Sequence, residues 1–170
     1  MDLTDYIRNI PDFPRPGIQF KDITPLLKDP DAFREAVERI AQYGTEFPID
    51  AIVGIEARGF LIAAPLAYRL QKPLIPVRKQ GKLPFHTTEV TYSLEYGSDT
   101  VEMHQDAVAE GQHVLIVDDL LATGGTMAAT ARLVETSGGR VSALVVLVEL
   151  TDLNGRAALK GYDVHSLMQL

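Results

Sequence analysis

Short segments that are apolar along almost their whole length alternate with helical patterns, and this alternation constrains the fold most. The segments are DAIVGI (50–55), PLIPVRK (73–79), HVLIVDD (113–119) and RVSALVVLVEL (140–150). Strands buried on both faces of a sheet have this composition, because a half-exposed strand alternates apolar and polar residues. The pattern predicts an α/β protein with a mostly parallel sheet flanked by helices.

The first thirty residues follow a different pattern. Apolar residues at helical spacing predict a short helix that ends at Pro11, namely Leu3, Tyr6, Ile7 and Ile10. Prolines at 11, 14, 16, 25 and 30 exclude one long helix and predict an irregular flap. Asp29 as N-cap and Pro30 as first helical residue then predict a helix of about a dozen residues.

The segment between Glu89 and Met103 also lacks the wholly apolar pattern of the predicted central strands. Apolar and polar residues alternate as far as Tyr96, and Gly97 begins a turn into a second short strand. This predicts a projecting β-hairpin. The chain is expected to be one domain, 1–170, with an N-terminal helix and flap at 1–30 and a mobile hairpin arm at 83–104.

Composition excludes several classes of protein. The net charge of −7 disfavours nucleic acid and anionic membranes as partners. The apolar segments are shorter than the roughly 18 residues of a membrane span, and no signal-peptide pattern opens the chain. The absence of cysteine excludes disulfides and thiolate metal sites, and it suits a cytoplasmic protein.

Three predicted strands lead into loops that carry chemically distinctive residues. These loops are EARG (56–59), KQGK (79–82) and DDLLATGG (118–125). In a parallel sheet with right-handed crossovers, such loops share one edge, and ligands bind in the crevice there.

The segment TGGT, Thr123 to Thr126, opens a predicted helix. Glycines allow backbone N–H groups to turn inward, and the helix N-terminus adds partial positive charge. This predicts a cradle for a monophosphate. The alternative is a simple glycine turn in which Thr126 is the N-cap.

Asp118 and Asp119 follow the apolar residues VLIV directly. Adjacent carboxylates at the edge of a core repel each other and lose hydration, so they need donors or cations nearby. A sugar diol or a divalent cation would supply these, whereas two solvated loop aspartates are the alternative. Beside a phosphate cradle, the pair predicts a ribose 5-phosphate site.

Basic residues in the other two loops predict a pyrophosphate site, because guanidinium groups and lysines bind phosphate oxygens. These residues are Arg58, Arg78, Lys79 and Lys82. A surface ion pair for Arg58 and a solvated face for the others are the alternatives. The glycines of GIEARGF have the spacing of a nucleotide P-loop, but Phe60 and Leu61 stand where Lys and Ser or Thr are required, and no dinucleotide fingerprint occurs.

The segment VLIVDDLLATGGT (114–126) resembles the signature of the type I phosphoribosyltransferases. Five further segments are similar to those of the adenine-specific enzymes of this family: FPRPGIQFKDITPLL (13–27), GIEARGF (54–60), VRKQGKLP (77–84), YSLEYGSD (92–99) and VELTDLNGR (148–156). Together they span almost the whole chain. The resemblance implies transfer of ribose 5-phosphate from phosphoribosyl pyrophosphate to N9 of adenine, which gives AMP and pyrophosphate.

The resemblance also implies roles for individual residues. The 5-phosphate would bind Ala122, Thr123, Gly124, Gly125 and Thr126, and the ribose hydroxyls would bind Asp118 and Asp119. Arg58, Arg78 and Lys82 would bind pyrophosphate with Mg²⁺, which is expected to be held mainly through the substrate, with no metal ligand from the protein. A homodimer is implied, with some basic groups reaching across it.

For the base, the resemblance implies stacking on Phe20 and recognition by the backbone around Gln19 and Lys21, with Leu120 also in contact. Glu95 on the hairpin, with Arg58, is the implied catalytic group, and the hairpin would close as a lid. Two alternatives stay open: the same reaction on a 6-oxopurine, and a non-catalytic regulator with this fold. The acidic chain shows no basic nucleic-acid surface for the second.

Overall fold

The computed structural model describes all 170 residues and contains nine strands and four α-helices. The strands are β1 (Arg8–Pro11), β2 (Gln19–Asp22), β3 (Ala51–Ile55), β4 (Leu74–Lys79), β5 (Thr87–Ser93), β6 (Ser98–His104), β7 (His113–Leu121), β8 (Arg140–Glu149) and β9 (Val164–Gln169). The helices are α1 (Thr24–Lys28), α2 (Pro30–Gly44), α3 (Gly59–Leu70) and α4 (Gly125–Thr136). Three short 3₁₀ helices lie at Leu3–Tyr6, Thr151–Leu153 and Gly155–Leu159.

Seven strands form one sheet in the order β5-β6-β4-β3-β7-β8-β9. The five strands from β4 to β9 in this order are parallel, and the hairpin β5–β6 joins antiparallel to β4. The predicted α/β class is therefore confirmed. The edge strand β9 was not predicted, because its half-exposed sequence VHSLMQ lacks the wholly apolar signature of the central strands.

The two faces of the sheet carry separate hydrophobic clusters. Val53 and Ile116 pack on the face covered by α4, whereas Ile52 and Leu115 pack on the face covered by α2 and α3. Adjacent residues of one strand thus enter opposite clusters, as the period of two in a strand requires. Burial on both faces explains why β3 and the first half of β7 contain no polar residue beyond His113.

The N-terminal predictions are partly wrong. Helical structure ends at Tyr6, and Arg8–Pro11 is a strand that pairs antiparallel with Gln19–Asp22. The flap is therefore a small two-stranded sheet followed by α1, instead of irregular chain. Pairing with β2 gives β1 hydrogen bonds that a single isolated helical turn could not provide, and this long-range contact leaves no periodic signal in the sequence.

The start of α2 follows the prediction. The Asp29 side chain accepts hydrogen bonds from the backbone N–H groups of Asp31 and Ala32, and Pro30 is the first helical residue. The helix has 15 residues, somewhat longer than expected. Helix α3 begins at Gly59 with Pro65 inside it. No helix in the protein combines the length and the apolar character that crossing a bilayer requires.

The predicted hairpin is present, but its base is built into the sheet. Arg78 and Lys79 of β4 pair with β6, and β5 packs against α4. Tyr92, Val101 and Met103 belong to the hydrophobic cluster on that face. The residues at the tip, 94–97, are exposed, and the turn closes through a hydrogen bond from Leu94 N–H to the Gly97 carbonyl.

Candidate functional site

The three loops predicted to meet do follow neighbouring parallel strands. They leave the carboxyl ends of β3, β4 and β7, which are adjacent in the order β4-β3-β7. Strand β7 runs on to Leu121, so the acidic pair lies inside the strand and not in the loop after it. The ladder between β3 and β7 ends at Gly54 and Val117, whereas β7 stays paired with β8. The two carboxylates therefore lie just past the end of β3.

The acidic pair packs closely against the backbone at the start of α3. Asp119 is 4% exposed, and its N–H donates to Asp118 Oδ1 over 2.8 Å. A Cβ added at Gly59 would lie 2.7 Å from the same oxygen and 3.2 Å from the Asp118 Cα. Only glycine therefore allows the start of α3 to approach β7 this closely.

Both carboxyl groups are held above their usual pKa. Burial raises the pKa of Asp118, and the neighbouring Asp119 charge raises it further. Burial also raises the pKa of Asp119, but the Arg58 guanidinium opposes that shift. The carboxylate form is therefore costly in this place unless a ligand contributes donors or positive charge.

Arg58 lies between the acidic pair and the N-terminal flap. Its Nε is 2.9 Å from Asp119 Oδ2, although the angle does not suit a hydrogen bond, and this buried oxygen has no hydrogen-bond donor. Its guanidinium carbon stands 5.0 Å from the centre of the Phe20 ring. The arginine thus connects the predicted sugar site with the predicted base site.

The TGGT loop turns into α4 around Gly124, whose φ is +86°, in the left-handed region that favours glycine. A Cβ at Gly124 would also collide with the carbonyl oxygen of Gly155. The predicted alternative of Thr126 as N-cap is wrong, since Gly124 is the N-cap and no side chain caps the helix. Residues 118 and 120–127 line a cavity of about 90 Å³ at this helix N-terminus.

The loops after β3 and β4 are joined through Glu56. Its carboxylate accepts hydrogen bonds from Lys82 Nζ at 2.6 Å, Arg78 NH2 at 3.1 Å and the Lys79 N–H at 2.8 Å. Burial acts to raise the pKa of Glu56, but these donors outweigh it and lower the pKa to about 2. Arg78 and Lys82 are thereby held side by side.

Lys79 does not join that pair. Successive side chains of a strand point to opposite faces, so Lys79 leaves β4 on the face opposite to Arg78. Its ammonium group contacts Asp99 and donates to the Tyr92 hydroxyl over 3.0 Å. The structure therefore separates the four predicted basic residues into Arg78 with Lys82, Arg58 beside Asp119, and Lys79 beneath the hairpin.

The predicted base-binding residues lie on two strands, β2 of the flap and β7 of the main sheet. Phe20 packs edge-on against Phe13 with 5.1 Å between ring centres. The side chains of Gln19 and Lys21 are both hydrogen-bonded to Asn9, at 2.7 and 3.2 Å, which leaves recognition of a base to the backbone of this segment. Leu120, on β7, lines the cavity beside the TGGT loop.

Glu95 lies in the exposed turn between β5 and β6 and forms no hydrogen bond or ion pair. The structure therefore does not bring it to the acidic pair or to Arg58. Its catalytic role stays a prediction.

Sequence reasoning missed three contributors to this edge. Glu56 is the first residue of the EARG loop and lies close in sequence to predicted cationic residues, but the sequence pattern predicts no role for it. Tyr92 was assigned only to the apolar side of a half-exposed strand. Gly155, which lies within the quoted segment VELTDLNGR, gave no signal of its own, because its contact with Gly124 is set by tertiary structure.

The geometry agrees with comparisons with known proteins. A phosphoribosyl transferase domain family matches residues 23–167. The chain belongs to the phosphoribosyltransferase family. The adenine phosphoribosyltransferase of Kosmotoga olearia is 56% identical over 168 residues, which cover 99% of each chain.

Solved phosphoribosyltransferase structures share the fold over nearly the full length. The adenine phosphoribosyltransferase of Thermoanaerobacter pseudethanolicus superposes with a TM-score of 0.96 at 55% identity, covering 99% of this chain and 98% of that one. The enzyme of Saccharomyces cerevisiae, bound to adenine and an imino-altritol bisphosphate, gives 0.91 at 38% identity, covering 97% and 96%. These likenesses confirm the predicted family.

The low pKa of Glu56 predicts how stability depends on pH. A carboxyl group with a lowered folded-state pKa stabilises the protein fully above its usual value of 4.5 and loses that contribution as the pH falls towards 2. Glu56→Gln is therefore expected to lower the free energy of unfolding by about 1 kcal/mol near neutral pH, because its cationic partners are partly exposed.

Urea unfolding of native protein and variant, followed at several pH values, would measure this difference. It should narrow as the pH falls below about 4. Glu38→Gln is the matched control, because Glu38 pairs with Arg69 on the exposed surface and should contribute less. A Glu56→Gln difference that is independent of pH would contradict the assignment of a charged Glu56.

Proposed function

We propose that the protein transfers the ribose 5-phosphate group of phosphoribosyl pyrophosphate to N9 of adenine and releases AMP and pyrophosphate. The observation that carries the proposal is the run from Asp118 to Thr126. In this run the acidic pair lies near the end of β7. One turn later the chain enters α4, and a small polar cavity lies at the N-terminus of that helix. A sugar phosphate presents a diol to the first of these parts and a phosphate to the second.

The sugar phosphate would be bound through both ends of this run. Backbone N–H groups of 122–126 and the Thr123 and Thr126 hydroxyls would donate to the 5-phosphate, with help from the helix N-terminus. Ribose hydroxyls would donate to Asp118 and Asp119. These donors would lower the raised pKa of both carboxyls and stabilise their charged forms.

The leaving pyrophosphate would bind Arg58, Arg78 and Lys82. Arg58 is the group best placed to move, because its side chain is 38% exposed and has no hydrogen bond to Asp119. A move of its guanidinium towards a diphosphate would uncover the buried Asp119 oxygen for the sugar. Glu56 would keep Arg78 and Lys82 near each other before the substrate arrives. Lys79, predicted for pyrophosphate from its charge and its place in the KQGK loop, is less well placed for that role.

Magnesium suits this donor set. The Asp119 oxygen without a hydrogen-bond donor lies beside a second carboxylate, and hard oxygen ligands are those that Mg²⁺ prefers. The ion would be held mainly by the substrate's diphosphate and ribose, with the acidic pair nearby. When bound, it would neutralise charge on the departing pyrophosphate.

The base would lie against Phe20, between the flap and Leu120. Its edge would contact the backbone of 19–21, because the side chains of Gln19 and Lys21 are hydrogen-bonded to Asn9. Glu95 would approach only if the tip of the hairpin moved inward. There its carboxylate could stabilise the positive charge that develops on the sugar, or exchange a proton with the base. Such closure would also exclude water from the activated sugar.

A homodimer in the cytoplasm completes the proposal. Apolar side chains on α3 and at the start of β4 are exposed in the single chain, including Leu61, Tyr68 and Leu74. Exposed apolar side chains on neighbouring elements favour contact with another protein surface. Size-exclusion chromatography with light scattering would measure the assembly.

The nearest alternative is the same transfer to hypoxanthine, guanine or xanthine. Adenine is expected to be converted to AMP only when Mg²⁺ and phosphoribosyl pyrophosphate are both present, and the 6-oxopurines should compete poorly. Labelled adenine with each unlabelled base as competitor provides the assay. No AMP, or a stronger effect of a 6-oxopurine than of unlabelled adenine, would contradict the proposed substrate.

Substitution of Asp118 should separate activity from stability. Asp118→Asn is expected to lower turnover by roughly 100-fold or more, because it removes a charge that acts on the sugar. At neutral pH the free energy of unfolding should stay equal or rise, since the substitution removes repulsion from a carboxyl whose pKa is raised by burial and by Asp119.

Asp106→Asn is the matched control, because Asp106 is exposed and forms no hydrogen bond or ion pair. Steady-state kinetics and urea unfolding of both variants provide the two readouts. A parallel loss of activity and stability in Asp118→Asn would show that the pair serves the fold instead of the substrate.

A further inference from the structure

Tyr92 joins the hairpin to the TGGT loop. Its hydroxyl lies 2.9 Å from Thr126 Oγ1 and 3.0 Å from Lys79 Nζ. Its ring packs on the first residue of α4, where a Cβ at Gly125 would stand 3.4 Å from Tyr92 Cδ2. With only 6% of its surface exposed, the tyrosine is fixed between β5 and the N-terminus of α4.

The contacts in this cluster favour one direction of hydrogen-bond donation. An ammonium group can only donate, so the Tyr92 oxygen accepts from Lys79. The phenolic hydrogen then has Thr126 Oγ1 at 2.9 Å and Asp99 Oδ2 at 3.4 Å as acceptors, and the shorter contact favours Thr126. With its oxygen accepting from Tyr92, the Thr126 hydroxyl is free to donate its own hydrogen.

A phosphate oxygen is the acceptor that this arrangement suits. Thr126 belongs to the residues that line the cavity at the N-terminus of α4. The chain of donors would then run from Lys79 through Tyr92 and Thr126 to the phosphate. Successive hydrogen bonds of the same direction polarise and strengthen one another.

We propose that Tyr92 is a positioning residue, which turns the Thr126 hydroxyl towards the 5-phosphate and couples phosphate binding to the seating of the hairpin on α4. This inference rests on the proposed function. Coupling is reciprocal, so a bound phosphate should hold the hairpin more firmly, and a seated hairpin should raise the affinity for the phosphate.

Tyr92→Phe tests the coupling, because it keeps the ring and removes the hydroxyl. Titration calorimetry with ribose 5-phosphate should show binding weakened about 10-fold, as expected for loss of support to a charge-assisted hydrogen bond. Binding of adenine, which has no phosphate, should be unchanged. Tyr162→Phe is the matched control, since its hydroxyl contacts Glu135 near the other end of α4 at 3.0 Å, and it should bind both ligands as the native protein does.

Two further measurements separate this role from a structural one. In a Thr126→Val background, Tyr92→Phe should have no additional effect on ribose 5-phosphate, because the hydroxyl that it orients is gone. Hydrogen exchange of the hairpin amides, 87–104, should slow when ribose 5-phosphate binds the native protein. Tyr92→Phe should abolish that slowing.

The outcomes distinguish the inference from the proposed function. If the native protein binds ribose 5-phosphate and forms AMP while Tyr92→Phe binds as tightly as native, the inference is wrong and the function stands. Equal weakening of adenine binding, or additive losses with Thr126→Val, would also overturn it. If the native protein neither binds ribose 5-phosphate nor forms AMP, the proposed function fails, and the inference fails with it.

Discussion

Burial of the adjacent carboxyl groups of Asp118 and Asp119 is the constraint on which the rest of the candidate site depends. Two neighbouring carboxyl groups are held near the end of the central strand, where burial raises the pKa of each. Nearby groups compensate only in part, because the Arg58 guanidinium lies close to Asp119 without a hydrogen bond to it. A fold that keeps this pair carries a local electrostatic cost that a bound sugar and cation would relieve. Such a cost is typical of binding sites, where some stability of the free protein is given up for the ligand.

The surrounding backbone is arranged around that pair. Strand β7 extends past the end of β3, so on that side the acidic pair meets the N-terminus of α3 instead of a neighbouring strand. Gly59 permits that close approach, and the left-handed Gly124 turns the chain directly into α4 against Gly155. The acidic pair and the TGGT loop are consequently fixed relative to each other by rigid elements. Rigid placement of this kind reduces the ordering that a substrate must undergo on binding.

The sequence was informative wherever chemistry follows local pattern. Wholly apolar strands predicted the parallel sheet, and the order of the loops predicted which residues share its carboxyl edge. The sequence was uninformative where long-range contacts determine the local structure or the position of a side chain. Strand β1 depends on pairing with β2. Lys79 was grouped with Arg78, although the alternation of side chains along a strand places them on opposite faces. The packing of the hairpin on α4 depends on the contact between Tyr92 and Thr126. The position of Glu95 in an exposed turn likewise depends on hairpin geometry that the sequence does not encode locally.

We expect the acidic pair to be strained in the free protein and relieved by the bound ligand. Carbon-13 NMR of the aspartate carboxyl groups, titrated with and without ribose 5-phosphate and Mg²⁺, measures this directly. We expect the pKa of Asp118 to lie well above its usual value of 3.8 in the free protein and to fall when both ligands are bound. An Asp118 pKa near the usual value in the free protein, or one that the ligands leave unchanged, would contradict it.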